Sequence, residues 1–341
     1  MKDRDTVFLC LFFSIILFFG VGIFVFPKQS FSQKENRPLA EAPRVSLSTL
    51  LDGEYFKRLG DFYSDHFPLR DSFTAIYALS ELSLAKSQVN DIVIGTDGVL
   101  ASREKKSSDI SEALKKLEQL SAKNTCVYIP PSSAQVFSSS LPQSLQREIN
   151  SQASSFSQDK YYKTDHHWTS EGAYLAYTEI CDMLGVTAFE ENFFEKTVVS
   201  NDFRGTAYAR SCLPKWLTKP DAITLYRYDG DDGVEVFCHD LNSLKKGFYE
   251  MSALDGADKY RVFLGGNYAH LSIKSKNSKP TLLLVKDSFA NSVVPFLALH
   301  FDIEMIDPRY CSREYLEQQL VRGDIDRTLF LLSAENLSKI Y

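Results

Sequence analysis

The chain has 341 residues, 44% of them hydrophobic and 24% charged, with a formal net charge of -6. This is enough for one large or two ordinary globular domains. It excludes disorder and collagen-like repeats, and its acidity argues against a nucleic-acid partner. Six cysteines are too few for a disulfide scaffold.

The first element is Val7 to Phe26, twenty residues without a charge. As a helix it measures about 30 Å, the thickness of a hydrocarbon core. No small-residue cleavage site follows it, so a retained signal anchor is expected at 7–26 behind a cytoplasmic tail at 1–6. Lys2 and Arg4 before the span are balanced by Lys28, Lys34 and Arg37 after it. A short tail before a long domain leaves that domain extracytoplasmic, because long domains translocate largely regardless of charge. Residues 27–50 are polar with three prolines and read as a linker. Apolar residues from Tyr55 to about Lys86 recur at helical spacing and are divided by Pro68, so 27–90 is read as a linker and helical stalk.

From residue 91 short apolar runs alternate with amphipathic segments. Asp91–Leu100 reads as a hairpin, Ile110–Leu120 as a helix, and Cys126–Ile129 as a strand ended by Pro130-Pro131. Ala173, Ala176, Tyr177, Ile180, Cys181 and Leu184 form one helical stripe behind Thr169, a suitable N-cap. Residues 186–260 read as an irregular, loop-rich insertion. Thr281–Val285 is a continuous apolar run, as in a strand buried on both faces. Residues 303–306 and 328–332 are further strands, separated by a helix around Glu314–Val321. This alternation predicts an α/β fold with a parallel sheet covered on both sides.

Three clusters carry chemistry. Asp165-His166-His167-Trp168 precedes the helical stripe. In an extended approach Asp165 and His167 share a side and His166 faces away. A carboxylate that fixes one imidazole nitrogen leaves the other free as a base, whereas a packed loop would only satisfy the histidines' hydrogen bonds. Ser288 follows the strand at 281–285, where ligands bind in open α/β sheets; alone it would equally well cap the turn. Gly265-Gly266-Asn267 offers close backbone approach and an amide donor, or an ordinary turn. Bound metal at Asp165, His166 and His167 is a rival reading, disfavoured because adjacent histidines diverge; no metal and no cofactor are expected. Cys126 and Cys181 fall on apolar faces as buried thiols, and Cys212 and Cys238 are a candidate pair.

Together Asp165-His166-His167-Trp168, Lys286-Asp287-Ser288-Phe289 and the N-terminal apolar span resemble the DHHW family. That family is similar to SGNH-like O-acetyltransferases of alginate and other exopolysaccharides. Glu35–Leu39, Ile94–Leu100, Phe203–Thr206 and Ile306–Tyr310 add weaker matches. The resemblance implies a three-layer, flavodoxin-like SGNH domain over 91–341. It implies Asp165 as orienting acid, His167 as base and Ser288 as nucleophile. His166 stands where those enzymes often carry Thr, which leaves open which imidazole acts, and Lys286 replaces a glycine. Gly266, Asn267, His166, Trp168 and Arg309 are candidate oxyanion or substrate contacts.

The expected function is an O-acyltransferase or carbohydrate esterase at the cell membrane, acting on a cell-envelope or secreted polysaccharide. The resemblance also implies a multipass membrane O-acyltransferase as partner. The alternative is a non-catalytic polysaccharide-binding or scaffolding subunit.

Overall fold

The computed structural model describes residues 2–32, 34–35, 37–102, 115, 124–143, 156–337 and 340. The helix expected at Ile110–Leu120 lies outside them, Lys115 apart.

Helix α1 (Lys2–Val25) is apolar around its circumference and exposed along most of its length. It is the one helix among the described residues that is long and apolar enough to cross a membrane. Its last turns rest on two stalk helices, α2 (Glu54–Asp65) and α3 (Arg70–Ser83), which are separated at Pro68. Phe19 stacks on Phe67 at 5.0 Å, and a Cβ on Gly22 would press against the Pro68 ring. Glu35 and Arg37 close this joint. Arg37 bridges Glu35 and Asp65, and Arg70 pairs with Glu35.

Among the described residues, seven strands form the central sheet: β1 (Thr125–Tyr128), β2 (Glu235–Cys238), β3 (Ser243–Lys246), β4 (His270–Lys274), β5 (Thr281–Lys286), β6 (Asp302–Ile306) and β7 (Arg327–Leu331). Their order is β3-β2-β4-β6-β5-β7-β1. Only β6, β5, β7 and β1 are parallel; β4, β2 and β3 add an antiparallel edge. The expected all-parallel sheet is therefore half right, for a simple reason. Residues 275–280 between β4 and β5 are too few for a parallel crossover, which needs a dozen or more residues. Part of the expected insertion at 186–260 is this sheet edge. The rest includes an antiparallel pair, Glu195–Phe203 with Asp221–Arg227, enclosing the short helix Thr206–Ser211.

Strand β5 alternates between two apolar clusters. Leu282 and Leu284 meet Ala173, Ala176, Tyr177 and Ile180 of α4 (Ser170–Leu184), while Leu283 and Val285 meet Leu316 and Leu320 of α5 (Arg313–Leu320). All four β5 residues are fully buried, each worth about 1.5–3 kcal/mol, so the register of β5 and the position of its C-terminal end are firmly set. The Thr169 hydroxyl accepts the Gly172 N–H at 3.2 Å, so α4 begins just after the Asp-His-His-Trp string. Cys181 is buried and Cys126 half-buried. Cys212 and Cys238 do not pair: both are free thiols, in separate apolar clusters.

Candidate active site

The C-terminal end of β5 and the approach to α4 converge. Asp287 accepts the Phe289 N–H at 3.1 Å on one carboxylate oxygen, and the Ser333 N–H and Asn336 amide, each at 2.8 Å, on the other. These bonds hold its carboxyl below the usual range despite burial. They also fix the tight turn Ser288–Ser292 and present the Ser288 side chain.

Asp165 is almost wholly buried and takes four donors. Its Oδ1 accepts the backbone N–H of His167 (3.0 Å) and His167 Nδ1–H (2.5 Å). Its Oδ2 accepts the Thr206 N–H (2.6 Å) and hydroxyl (2.9 Å). Burial alone would raise the pKa of this group. The neighbouring imidazoles and these bonds outweigh it and hold the carboxyl far below its ordinary value. A carboxylate only accepts, so Nδ1 of His167 is the protonated nitrogen and Nε2 is the acceptor. Ser288 Oγ lies 2.7 Å from that Nε2. Asp165, His167 and Ser288 thus form one continuous hydrogen-bonded chain across 123 positions of sequence.

Gly205 makes room for it. A Cβ there would overlap the Asp165 carboxylate. The His167 ring is clamped between Tyr260, parallel at 4.0 Å, and the edge of Phe289 at 5.0 Å.

His166 takes a different partner. Its Nδ1 lies 2.6 Å from Thr206 Oγ1, which has already given its proton to Asp165 and so accepts. The His166 side chain is 36% exposed, and desolvation together with the adjacent imidazole pushes its affinity for a proton down. Among the described residues it is His167 that reaches Ser288.

Trp168, expected to touch substrate, is wholly buried. Its indole N–H donates to Ser292 Oγ (2.9 Å), so it supports the site from behind. Gly266 is also displaced from its expected role as an oxyanion donor. Its N–H is given to the Phe263 carbonyl (3.4 Å) in a turn that requires φ +125°. Asn267 is more favourably placed. Its Oδ1 accepts from Lys286 Nζ (2.9 Å) and from the Asn291 amide (3.1 Å), which leaves its own amide N–H₂ as a donor of defined orientation. The backbone N–H of Ser288 opens a helical turn and has no acceptor within it.

Lys286 is fully buried. It also donates to Asn291 Oδ1 at 2.9 Å and lies 3.3 Å from Asp307. Burial lowers its affinity for a proton, partly countered by Asp307. Arg309 closes on the same Asp307 through two bonds, 2.9 and 2.7 Å, with its side chain 31% exposed. Arg309, expected as a ligand contact, and Lys286 are therefore both tied to an internal carboxylate.

Asp165, His166 and His167 each offer a ligand atom within 4.8 Å of the others. Both ring nitrogens of His167 and both oxygens of Asp165 are already committed, so an ion there would have to displace the bonds described above. A second group, His239, His270 and Glu304, lies on the antiparallel edge. Its two imidazoles stack face to face at 3.8 Å and 4°, so their lone pairs run parallel rather than converge, and His270 bridges Glu304 and Tyr315, each at 2.7 Å. A cleft of about 900 Å³ lies elsewhere, between the stalk and Arg204–Ala209, lined by Lys34, Arg70, Arg204 and Lys259.

Thr206, Tyr260, Asn291 and Asp307 were not singled out from sequence. Thr206 and Asp307 fall within stretches that matched the family; Tyr260 and Asn291 carry no local signal.

No curated protein matches the chain by sequence. Among solved structures, a DHHW family protein from Eubacterium siraeum is 19% identical with a TM-score of 0.56, over 74% of this chain and 96% of that one. PatB1 of Bacillus cereus, in a structure with a sulfonyl adduct, is 21% identical with a TM-score of 0.56, over 72% of this chain and 95% of its own; a second PatB1 structure gives 20% and 0.54. These likenesses establish a shared mixed α/β fold. The family model described as DHHW protein matches residues 149–306, the stretch that holds Asp165, His167 and Ser288. Over residues 149–306 this chain is thus similar to the DHHW family.

Proposed function

We propose that the protein is a membrane-anchored, extracytoplasmic SGNH-like O-acetyltransferase or acetylesterase acting on a cell-envelope or secreted polysaccharide. The reading carries with it a retained anchor at 7–26, a stalk to residue 90, a three-layer catalytic domain over 91–341 and a multipass acyltransferase partner. The observation behind it is the chain of bonds from Asp165 through His167 to Ser288.

In this reading His167 Nε2 takes the Ser288 Oγ proton as Oγ bonds to the acyl carbonyl carbon. The carbonyl oxygen becomes an oxyanion facing the Ser288 N–H and the Asn267 amide. Collapse returns the proton from His167 to the leaving oxygen and leaves an acetyl-serine. A sugar hydroxyl, or water, then gives its proton to His167 and attacks the ester, which restores Ser288. Asp165 stays ionised throughout and stabilises the imidazolium.

The test is release of acetate or p-nitrophenol from acetyl esters by the full chain in detergent. Ser288→Ala should abolish it, and equal rates for parent and variant would overturn the nucleophile assignment. The Bacillus cereus protein is known with a sulfonyl adduct. A sulfonyl fluoride should accordingly modify Ser288 in the parent and not in His167→Ala, as read by peptide mass.

A further inference from the structure

Two apolar stripes on the stalk face outward. On α2, Phe56, Leu59 and Tyr63 lie at i, i+3 and i+7 and are 62, 38 and 39% exposed. On α3, Phe73, Ile76 and Tyr77 lie at i, i+3 and i+4 and are 46, 60 and 49% exposed. Inward-facing positions on the same helices, Phe62 and Ala78, are buried, so these are the outer faces of amphipathic helices.

The stripes converge on one residue of α1. The Tyr63 hydroxyl donates to the Phe19 carbonyl (3.3 Å), and Phe73 packs edge-on against the Phe19 ring at 5.8 Å. Phe19 lies six residues before the end of α1 at Val25, about 9 Å along the helix axis.

We infer that the outer faces of α2 and α3 are a second membrane contact, seated in the interfacial layer of the leaflet from which α1 emerges. This rests on reading α1 as an anchor. An interfacial helix buries its apolar face roughly 5–10 Å into the headgroup and acyl boundary, and a depth of about 9 Å matches that. The residue types match as well: Tyr63 and Tyr77 carry polar tips on apolar rings, and Lys57 lies beside the α2 stripe, while Arg58 is paired with Glu54. Lipid that surrounds the exposed faces of α1 at the level of Phe19 also meets both stripes, because they touch the same residue. One apolar and two amphipathic helices would then hold the domain at one height and tilt over the bilayer, where a single span would leave it free to swing.

The test places photoreactive benzoylphenylalanine, one site at a time, at Phe13, Phe56, Ile76 or Trp216 of the full chain in vesicles containing a tagged phosphatidylglycerol. Phe13 reports the anchor, and Trp216 is an exposed control far from α1 in sequence. Lipid adducts are expected at Phe13, Phe56 and Ile76, at least about fivefold above Trp216. Adducts at Phe13 with Phe56 and Ile76 no higher than Trp216 overturn the second contact and leave the anchor standing. An absence of adducts at Phe13 overturns the anchor and this inference with it. Crosslinks from Phe56 or Ile76 to protein instead of lipid also overturn it, in favour of a docking partner.

Discussion

Replacing Asp165 by Asn keeps the size and shape of the side chain and changes one atom from acceptor to donor. Four N–H or O–H groups point at this carboxylate, two at each oxygen. An asparagine has one acceptor oxygen, so one pair of donors must face an NH₂ group. If Thr206 keeps its acceptor, His167 loses both of its bonds and its ring is free to take the other tautomer, with the proton on Nε2 facing Ser288. If His167 keeps its acceptor, the Thr206 N–H and hydroxyl are stranded. Each buried donor left unsatisfied costs about 1–3 kcal/mol, so the variant should lose about 2–6 kcal/mol of stability. The loss of the correct tautomer should lower kcat by about 10⁴, the effect of the same exchange in the serine protease triad. Acetate release under saturating ester measures the rate, and urea unfolding measures the stability. A variant that keeps more than about a tenth of the parent kcat while unfolding at the parent midpoint would refute the proposed role of Asp165.

The remaining predictions use neighbouring groups. His167→Ala should remove at least about 10³ of kcat, whereas His166→Ala should remove at most about tenfold, since Thr206 keeps its bonds to Asp165; the reverse ranking in acetate release would assign the base to His166. Lys286→Met strands the acceptor oxygen of Asn291, while Asn267 keeps its bond from the Asn291 amide and Arg309 still pairs with Asp307, so urea unfolding should show a loss of about 1–3 kcal/mol, with kcat falling more than KM changes. Asp165, Asp287 and Glu304 are held below their ordinary values of 3.8, 3.8 and 4.5, so the unfolded chain binds protons first as pH falls. Their contribution to stability is present above those values and is lost as pH drops through and below them. The urea midpoint should begin to fall below about pH 6.5, where the unfolded chain protonates His166 before the folded one does, and should drop further by about pH 3 as the carboxylates follow; an unchanged midpoint at pH 3 would contradict these assignments.

The parts of the site that were legible in the sequence are those whose cause is local. A run such as Thr281–Val285 declares a strand buried on both faces because every neighbour in it is apolar, and Ser288 follows from where that strand stops. Asp165 and His167 are two positions apart, so their pairing is local, but the approach expected to be extended is a bent turn between Tyr161 and Trp168, and it brings the His166 ring to 3.8 Å from that of His167 instead of turning it away. Thr206 is 41 positions from Asp165, and its role exists only once the Glu195–Phe203 and Asp221–Arg227 pair folds over the site. Tyr260 reaches His167 from an irregular segment with no periodicity, and a lone tyrosine among 17 gives no sign of being the one stacked on the imidazole. The antiparallel edge was hidden for a related reason. Strands β2 and β3 are four residues each, set among Asp, Gly and Asn, and only their pairing with β4 makes them part of the sheet.

Lys286 is where the local and the long-range parts meet. Read as a sequence, a lysine in place of glycine before Asp-Ser suggests a crowded or charged mouth at the nucleophile. The folded side chain instead runs into the interior, where Asn267, Asn291 and Asp307 satisfy its three protons. The same ammonium determines which way the Asn267 amide points, because an oxygen facing Lys286 leaves the nitrogen end facing elsewhere. A neutral residue at 286 would leave the Asn291 amide alone to hold that orientation and so weaken the presentation of a donor where the proposed oxyanion would form. In this chain the cation therefore sets the polarity of a neighbouring group, and Arg309 is needed beside it because a single lysine does not saturate the buried Asp307 carboxylate.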